Sequence, residues 1–271
     1  MVKYPKLRPY RIAAFRILSG LLGLAYLPGL LLLALPWVPA EMAGKLPTLS
    51  PLVWAFQKAL EPETQRWAFA LSACVDGAIA IILLHSAWRP SGSVLMVQFL
   101  LPAFVVALAA NVPFVGPGII VGYSPLLLVF LAYPEFRRLA ELPWRPRPNL
   151  LLLILALALG SALIPEGWFA FLAQSRGTDA LAHSFGWASL AEHECNFWLI
   201  GLFAAFKRPG STLLTFLVAG CLVYLGTAAI HLPGNAGSWG FAGGVIAIIG
   251  SVAYIALGFI ESRAKVRMNA G

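Results

Sequence analysis

Eight stretches of this chain are predominantly apolar, and "STLLTFLVAGCLVYLGTAAIHL" (Ser211 to Leu232) is representative of them. A helix needs about 20 apolar residues to cross a bilayer, and blocks of that length are too long for the one-sided helices of a soluble core. The stretches run Ile17 to Val38, Trp67 to Trp88, Val94 to Val112, Ile119 to Tyr133, Leu150 to Ile164, Trp187 to Phe206, Thr212 to Leu232 and Phe241 to Phe259. The fourth and fifth are the shortest. Lipid offers the backbone no hydrogen-bond partners, and the period-two alternation of a barrel strand is missing. The fold class is therefore an all-α, polytopic membrane protein with eight transmembrane helices.

The charge supports this reading once its distribution is considered. A formal net charge of +8 in a soluble protein would suggest nucleic acid. Here an even number of spans puts both termini on one side, and 15 of the 19 Lys and Arg residues fall on that side. Only Lys45, Lys58, Arg66 and Arg176 fall opposite. That is the positive-inside bias, so both termini are expected in the cytoplasm and the bilayer of the cell's inner (plasma) membrane is the expected partner, with no nucleic acid. The start, "MVKYPKLRPYR", precedes an apolar run longer than a signal peptide's, with no small-x-small cleavage site, and reads as the approach to a first span. Cys74, Cys195 and Cys221 form no C-x-x-C pair and imply neither a disulfide framework nor a zinc site.

The chain also repeats itself. "WAFALSACVDGAIAIILLHSAWRPSGS" (Trp67 to Ser93) matches "WASLAEHECNFWLIGLFAAFKRPGS" (Trp187 to Ser211) in a Trp-Ala start, an acidic stretch, an apolar run and an Arg-Pro turn ending in Gly-Ser. Each then enters a span that closes on Ala-Ala and a polar residue before proline, "AANVP" and "AAIHLP". Residues 1–147 and 148–271 thus read as two four-helix repeats, divided at "PEFRRLAELPWRPRPN". An even number of spans per repeat makes the two copies parallel, related by an axis along the membrane normal. Each repeat has an outer connection after its first span. In the first, "SPLVWAFQKALEPE" reads as a short interfacial helix; in the second, "WFAFLAQ" is its counterpart. The alternative for both is a plain linker with anchoring tryptophans.

This order of elements resembles the DoxX-like membrane proteins. The second half carries the match best, in "LAEHECNFWLIGLFAAFKRPGSTLL" and "AIHLPGNAG". The first half resembles a diverged copy, with Asp76 where the family has glutamate, Asn111 near the position of His231, and Arg16 matching an early arginine.

Ionisable side chains inside a bilayer are costly and normally face the bundle interior with a partner. Asp76 lies near the middle of its span and reads as a protonatable site, or alternatively as a hydrogen-bonded link between helices. In "LAEHECNFW", Glu194 is the repeat partner of Asp76 by its distance from the Arg-Pro turn. Glu192 and Asn196 share a face with His193 beside them. His193 and His231 lie towards the same side, where a proton-exchanging or structural pair is favoured over haem or metal ligation. Cys74 and Cys195 fall at nearly equal depth and either meet near the repeat axis or act as inert small hydrophobes. The glycine-rich "VGPGIIVG" and "GNAGSWGFAGG" lack the Lys-Ser/Thr of a phosphate loop and read as close helix packing.

The resemblance implies a membrane subunit of a sulfur- or thiol-oxidising system that exchanges electrons and protons with quinone, with a partner subunit supplying the electron-carrying centre. On that reading Asp76, Glu194, His193 and His231 handle protons, while Glu192, Asn196, Asn111 and Arg16 surround the quinone, and no metal is held. Two further expectations remain open: a small-solute transporter or channel with its polar site between the repeats, and a scaffold for assembling other membrane proteins.

Overall fold

The structure is a computed structural model that describes residues 9–37, 66–141 and 148–270. Among these residues every regular element is helical. The elements are α1 (Pro9–Tyr26), a 3₁₀ segment (Leu27–Trp37), α2 (Arg66–Trp88), α3 (Val94–Val115), α4 (Ile119–Ala132) and α5 (Phe136–Leu139). They continue with α6 (Leu150–Arg176), α7 (Ala180–His183), α8 (Gly186–Ala204), α9 (Ser211–His231) and α10 (Gly240–Ala270). Five of them, α2, α3, α6, α9 and α10, are long and apolar enough to cross a membrane. The interfacial helix expected in "SPLVWAFQKALEPE" lies outside the described residues, as does most of the linker after Glu141.

Two elements differ from the expected spans, and proline is concerned in both. The first span changes from α to 3₁₀ at Leu27, where Pro28 brings no N–H to the helical ladder and disfavours α geometry in the residue before it. The fifth was expected to end at Ile164. Instead α6 runs through Pro165 for 27 residues, so "WFAFLAQ" continues that helix and forms no separate interfacial one. Packed membrane helices tolerate an internal proline because neighbours and local adjustments compensate for the missing bond. Asn149 starts α6 by accepting from the backbone N–H groups of Leu151 and Leu152 at 3.2 and 3.4 Å.

The helices α2, α3, α8 and α9 form the middle of the bundle. α1 packs on α2 and α6 packs on α8; α3 packs on α4 and α9 on α10. Between the two groups, α3 lies against α8, α2 against α9, and α2 against α8. Burial follows this plan: 72% of the apolar window of α2 is inside the protein, against 28% for α6 and for α10. The outer faces of those two helices carry Leu150, Ile154, Leu157, Ile246, Ile249 and Val252, all exposed, as lipid-facing side chains should be. On the end that carries the Arg-Pro turns, the buried Arg208 guanidinium donates to Gln98 Oε1 at 3.0 Å and to Glu141 Oε2 at 2.6 Å. It thereby ties the α8–α9 turn to α3 and to the chain beyond α5. Arg89 in the other turn instead lies over the Trp88 ring at 5.2 Å.

The cysteines pair differently from the expectation. Cys74 on α2 meets Cys221 on α9, whose Sγ lies 3.9 Å from the Cys74 carbonyl oxygen, and both are buried. Cys195 is on α8 beside Gly167 of α6. Oxidation of the purified protein with copper phenanthroline is expected to join Cys74 to Cys221, recovered as a linked peptide by mass spectrometry. A Cys74–Cys195 product in its place would contradict this packing.

Candidate functional site

The polar side chains of the bundle gather at the end where α2 and α8 begin and where α3 passes into α4. Asp76 is ten residues into α2, about 15 Å along its axis, and His193 is seven residues into α8, about 10 Å. Asp76 stands alone in an apolar stretch and His193 in the polar run of α8, so packing their lipid-averse faces against each other brings the two side chains together. His193 Nε2 lies 3.5 Å from Asp76 Oδ1; the histidine side chain is 7% exposed and the aspartate 33%.

The other ring nitrogen fixes the chemistry of this contact. His193 Nδ1 lies 2.6 Å from the Ser189 carbonyl oxygen, and a carbonyl can only accept. Nδ1 therefore carries a hydrogen. In the neutral ring Nε2 is then the acceptor, and it faces the Asp76 carboxyl at 3.5 Å. The hydroxyls of Ser189 and Ser72 also approach Nδ1, at 3.2 and 3.4 Å, and lie 3.0 Å from each other. They hold the ring in place and leave Nε2 to Asp76.

Next to this pair Glu192 is almost fully buried and is held by neutral donors. Its Oε2 accepts from Asn111 Nδ2 of α3 and from the Tyr123 hydroxyl of α4, each at 2.7 Å. Asn111 Nδ2 also donates to the Ala107 carbonyl oxygen at 2.9 Å. Tyr26, at the end of α1, lies within electrostatic reach of both Asp76 and Glu192. Five elements, α1, α2, α3, α4 and α8, thus converge on two carboxyls and one imidazole.

The remaining sequence-derived residues are placed elsewhere. Glu194 does not join Asp76: it is 2% exposed and faces α6, where a Cβ on Gly167 would stand 3.5 Å from its Oε2. Asn196 is buried, and its Oδ1 has no hydrogen-bond partner among the described residues. His231 is exposed at the end of α9, its ring 6.2 Å from that of Trp37, and does not meet His193. Arg16 is exposed on α1. The site thus includes Asp76, His193, Glu192 and Asn111, and it adds Tyr123, Tyr26, Ser72 and Ser189. Two of these had a signal: Ser72 precedes Asp76 and Ser189 precedes His193 by four residues, one helical turn on the same face.

The connection between α6 and α8 closes this end of the bundle beside α8. Asp179 Oδ1 accepts from the Ala182 N–H at 2.7 Å, and the Trp187 indole N–H is 3.0 Å from both carboxylate oxygens. The Ala182 amide first, then the indole, hold the Asp179 carboxyl below its usual range against the opposing effect of partial burial. A carboxylate whose folded pKa is depressed adds stability that is present above its unfolded value of about 3.9 and is lost as pH falls through the lower folded value. Trp187 emission is therefore expected to shift on acidification below that value in the native protein. In Asp179→Asn the same transition should be absent, because the amide does not titrate.

No family model matches the chain, and comparison with curated proteins and with solved structures likewise finds no match.

Proposed function

We propose that this protein is the membrane-embedded part of a quinone-linked oxidoreductase system, in which Asp76 and His193 exchange the protons that accompany quinone chemistry. A quinol gives up two protons and two electrons when it becomes a quinone. The electrons would pass to a centre on a partner subunit. One proton would be taken by the Asp76–His193 pair and the other released to the aqueous side. The observation that carries the reading is the fixed Nδ1–H of His193, which leaves Nε2 facing a partly exposed carboxyl: a side chain poised to take or give one proton inside an apolar bundle. Tyr26 and Tyr123 supply the phenolic lining that an aromatic head group would pack against.

The DoxX-like order of motifs, the placement in the inner membrane and the cytoplasmic termini rest on the sequence, and they fit this reading. The reading includes eight spans in two parallel four-helix repeats, and the similar packing of α1 on α2 and α6 on α8, and of α3 on α4 and α9 on α10, supports it. That same repetition supports a second reading, a small-solute transporter whose polar site lies between the repeats.

Mass spectrometry of the gently purified protein separates the two. The first reading expects a retained quinone, and a quinol-dependent release of protons in proteoliposomes. A protein that retains no quinone, shows no quinol-dependent proton release, and instead carries a solute across the vesicle membrane would overturn it in favour of transport.

A further inference from the structure

Two thiols meet inside the bundle, and the proton-exchange site uses neither. Cys74 lies eight residues into α2, about 12 Å along its axis, and Cys221 lies ten residues before α9 ends, about 15 Å. The Trp67 N–H at the start of α2 donates to Asn235 Oδ1, just beyond the end of α9, at 3.3 Å, so both distances are measured from the same end of the protein. The sulfurs therefore stand at nearly one depth, and the two side chains hydrogen-bond to each other. Both residues are buried, at 6% and 8% exposure, and Tyr224 of α9 lies within electrostatic reach of the two. Cys195, on α8 beside Gly167 of α6, takes no part. Each half of the bundle thus gives one thiol to a single contact, deep in the apolar layer, where water and charged reagents are excluded.

We propose that Cys74 and Cys221 are a reversible thiol–disulfide couple that a lipid-soluble quinone oxidises, and that the disulfide locks α2 to α9. Two S–H bonds break and one S–S bond forms; the two electrons and two protons pass to the quinone, which becomes a quinol. A dithiol reverses the step by exchange and is itself left as the disulfide. Burial selects the oxidant: a quinone is uncharged and dissolves in the bilayer, whereas glutathione disulfide is charged and stays in water. The bond joins residues 147 apart in the chain, so it ties the first half of the bundle to the second across a long loop. The couple goes beyond the proton exchange proposed for Asp76 and does not depend on it. Cys74 is two residues before Asp76 on α2, about 200° around the helix, so thiol and acid face different neighbours.

To test this, the fully reduced, full-length protein in detergent is treated with decylubiquinone without oxygen, and its free thiols are counted by alkylation and mass spectrometry. One quinol is expected per chain, with loss of the Cys74 and Cys221 thiols, a linked Cys74–Cys221 peptide, and return of both thiols on adding dithiothreitol. Glutathione disulfide at the same concentration is expected to react at least about tenfold more slowly. Cys74→Ser and Cys221→Ser should each abolish quinol formation, and Cys195→Ser should leave it intact. The oxidised protein should melt about 5 °C higher or more and lose that gain on reduction. Survival of both thiols in the presence of the quinone, equal rates with the two oxidants, or undiminished quinol from Cys74→Ser or Cys221→Ser would overturn the couple. An unchanged melting temperature in the linked protein would overturn the lock. The thiols are counted directly, so failure here leaves proton release at Asp76 to its own assay.

Discussion

The Asp76→Asn protein is expected to lose quinol-dependent proton release by about a hundredfold or more, the range that removal of a positioned acid or base produces, while its melting temperature stays close to that of the native chain. Asparagine keeps the size of the side chain and its ability to hydrogen-bond, but it cannot exchange a proton with His193 Nε2. Stability is little affected because the Asp76 side chain is 33% exposed and its contact with the imidazole is 3.5 Å long. Glu192 behaves in the opposite way. Its carboxyl satisfies Asn111 and Tyr123, so Glu192→Leu is expected to lower stability by roughly 1–3 kcal/mol, with the lower figure favoured because a membrane chain out of its packed state also finds partners. The pair of variants therefore separates proton handling from structure, with proton release and thermal melting as the two readouts.

The second large effect is expected at the α9–α10 contact. A Cβ on Gly226 would stand 2.7 Å from the Gly244 carbonyl oxygen and 2.8 Å from Ile248 Cγ1, and one on Gly244 would stand 2.5 Å from the Gly226 carbonyl oxygen. Two backbones meet here with nothing between them, and the atoms in the way are carbonyl oxygens of packed helices, which cannot swing aside. Hydrophobicity does not drive helices together in lipid, so such close van der Waals contact is what holds α10 to the bundle. Gly226→Leu is expected to force the helices apart, at a cost of about 1–3 kcal/mol for overpacking. Thermal unfolding in detergent measures it, and an unchanged melting temperature would contradict the close approach.

Much of this was visible in the sequence because lipid makes its rules strict. Apolar runs had to be helices, and Asp76, Glu192 and His193 stood out as ionisable groups that such runs rarely contain. The glycines of "GNAGSWGFAGG" were read as packing residues, and Gly244 does meet Gly226 backbone to backbone. What was hidden depends on rotation and on proline. Equating Asp76 with Glu194 by distance from the Arg-Pro turn suggested a shared pocket. In the structure Asp76 instead meets His193, one residue earlier on α8, while Glu194 turns to α6, because a single step along a helix rotates a side chain by about 100°. Pro165 looked like a helix end, but α6 passes through it. Tyr123 and Tyr26 gave no signal, since aromatic residues near the ends of spans are ordinary interfacial anchors. His193 and His231 were both placed towards the same side, but depth along an axis says nothing of direction around it, and Trp37 is the ring that lies near His231.

A double-mutant cycle on Asp76 and His193 tests whether the two act as one proton-exchanging unit. Asp76→Asn, His193→Gln and the double variant would be compared for quinol-dependent proton release in proteoliposomes. If the imidazole and the carboxyl act as one unit, the double variant is no slower than the worse of the two single ones, since either change already disables the pair. Losses that multiply, to about ten-thousandfold from two independent hundredfold effects, would show that the residues act separately.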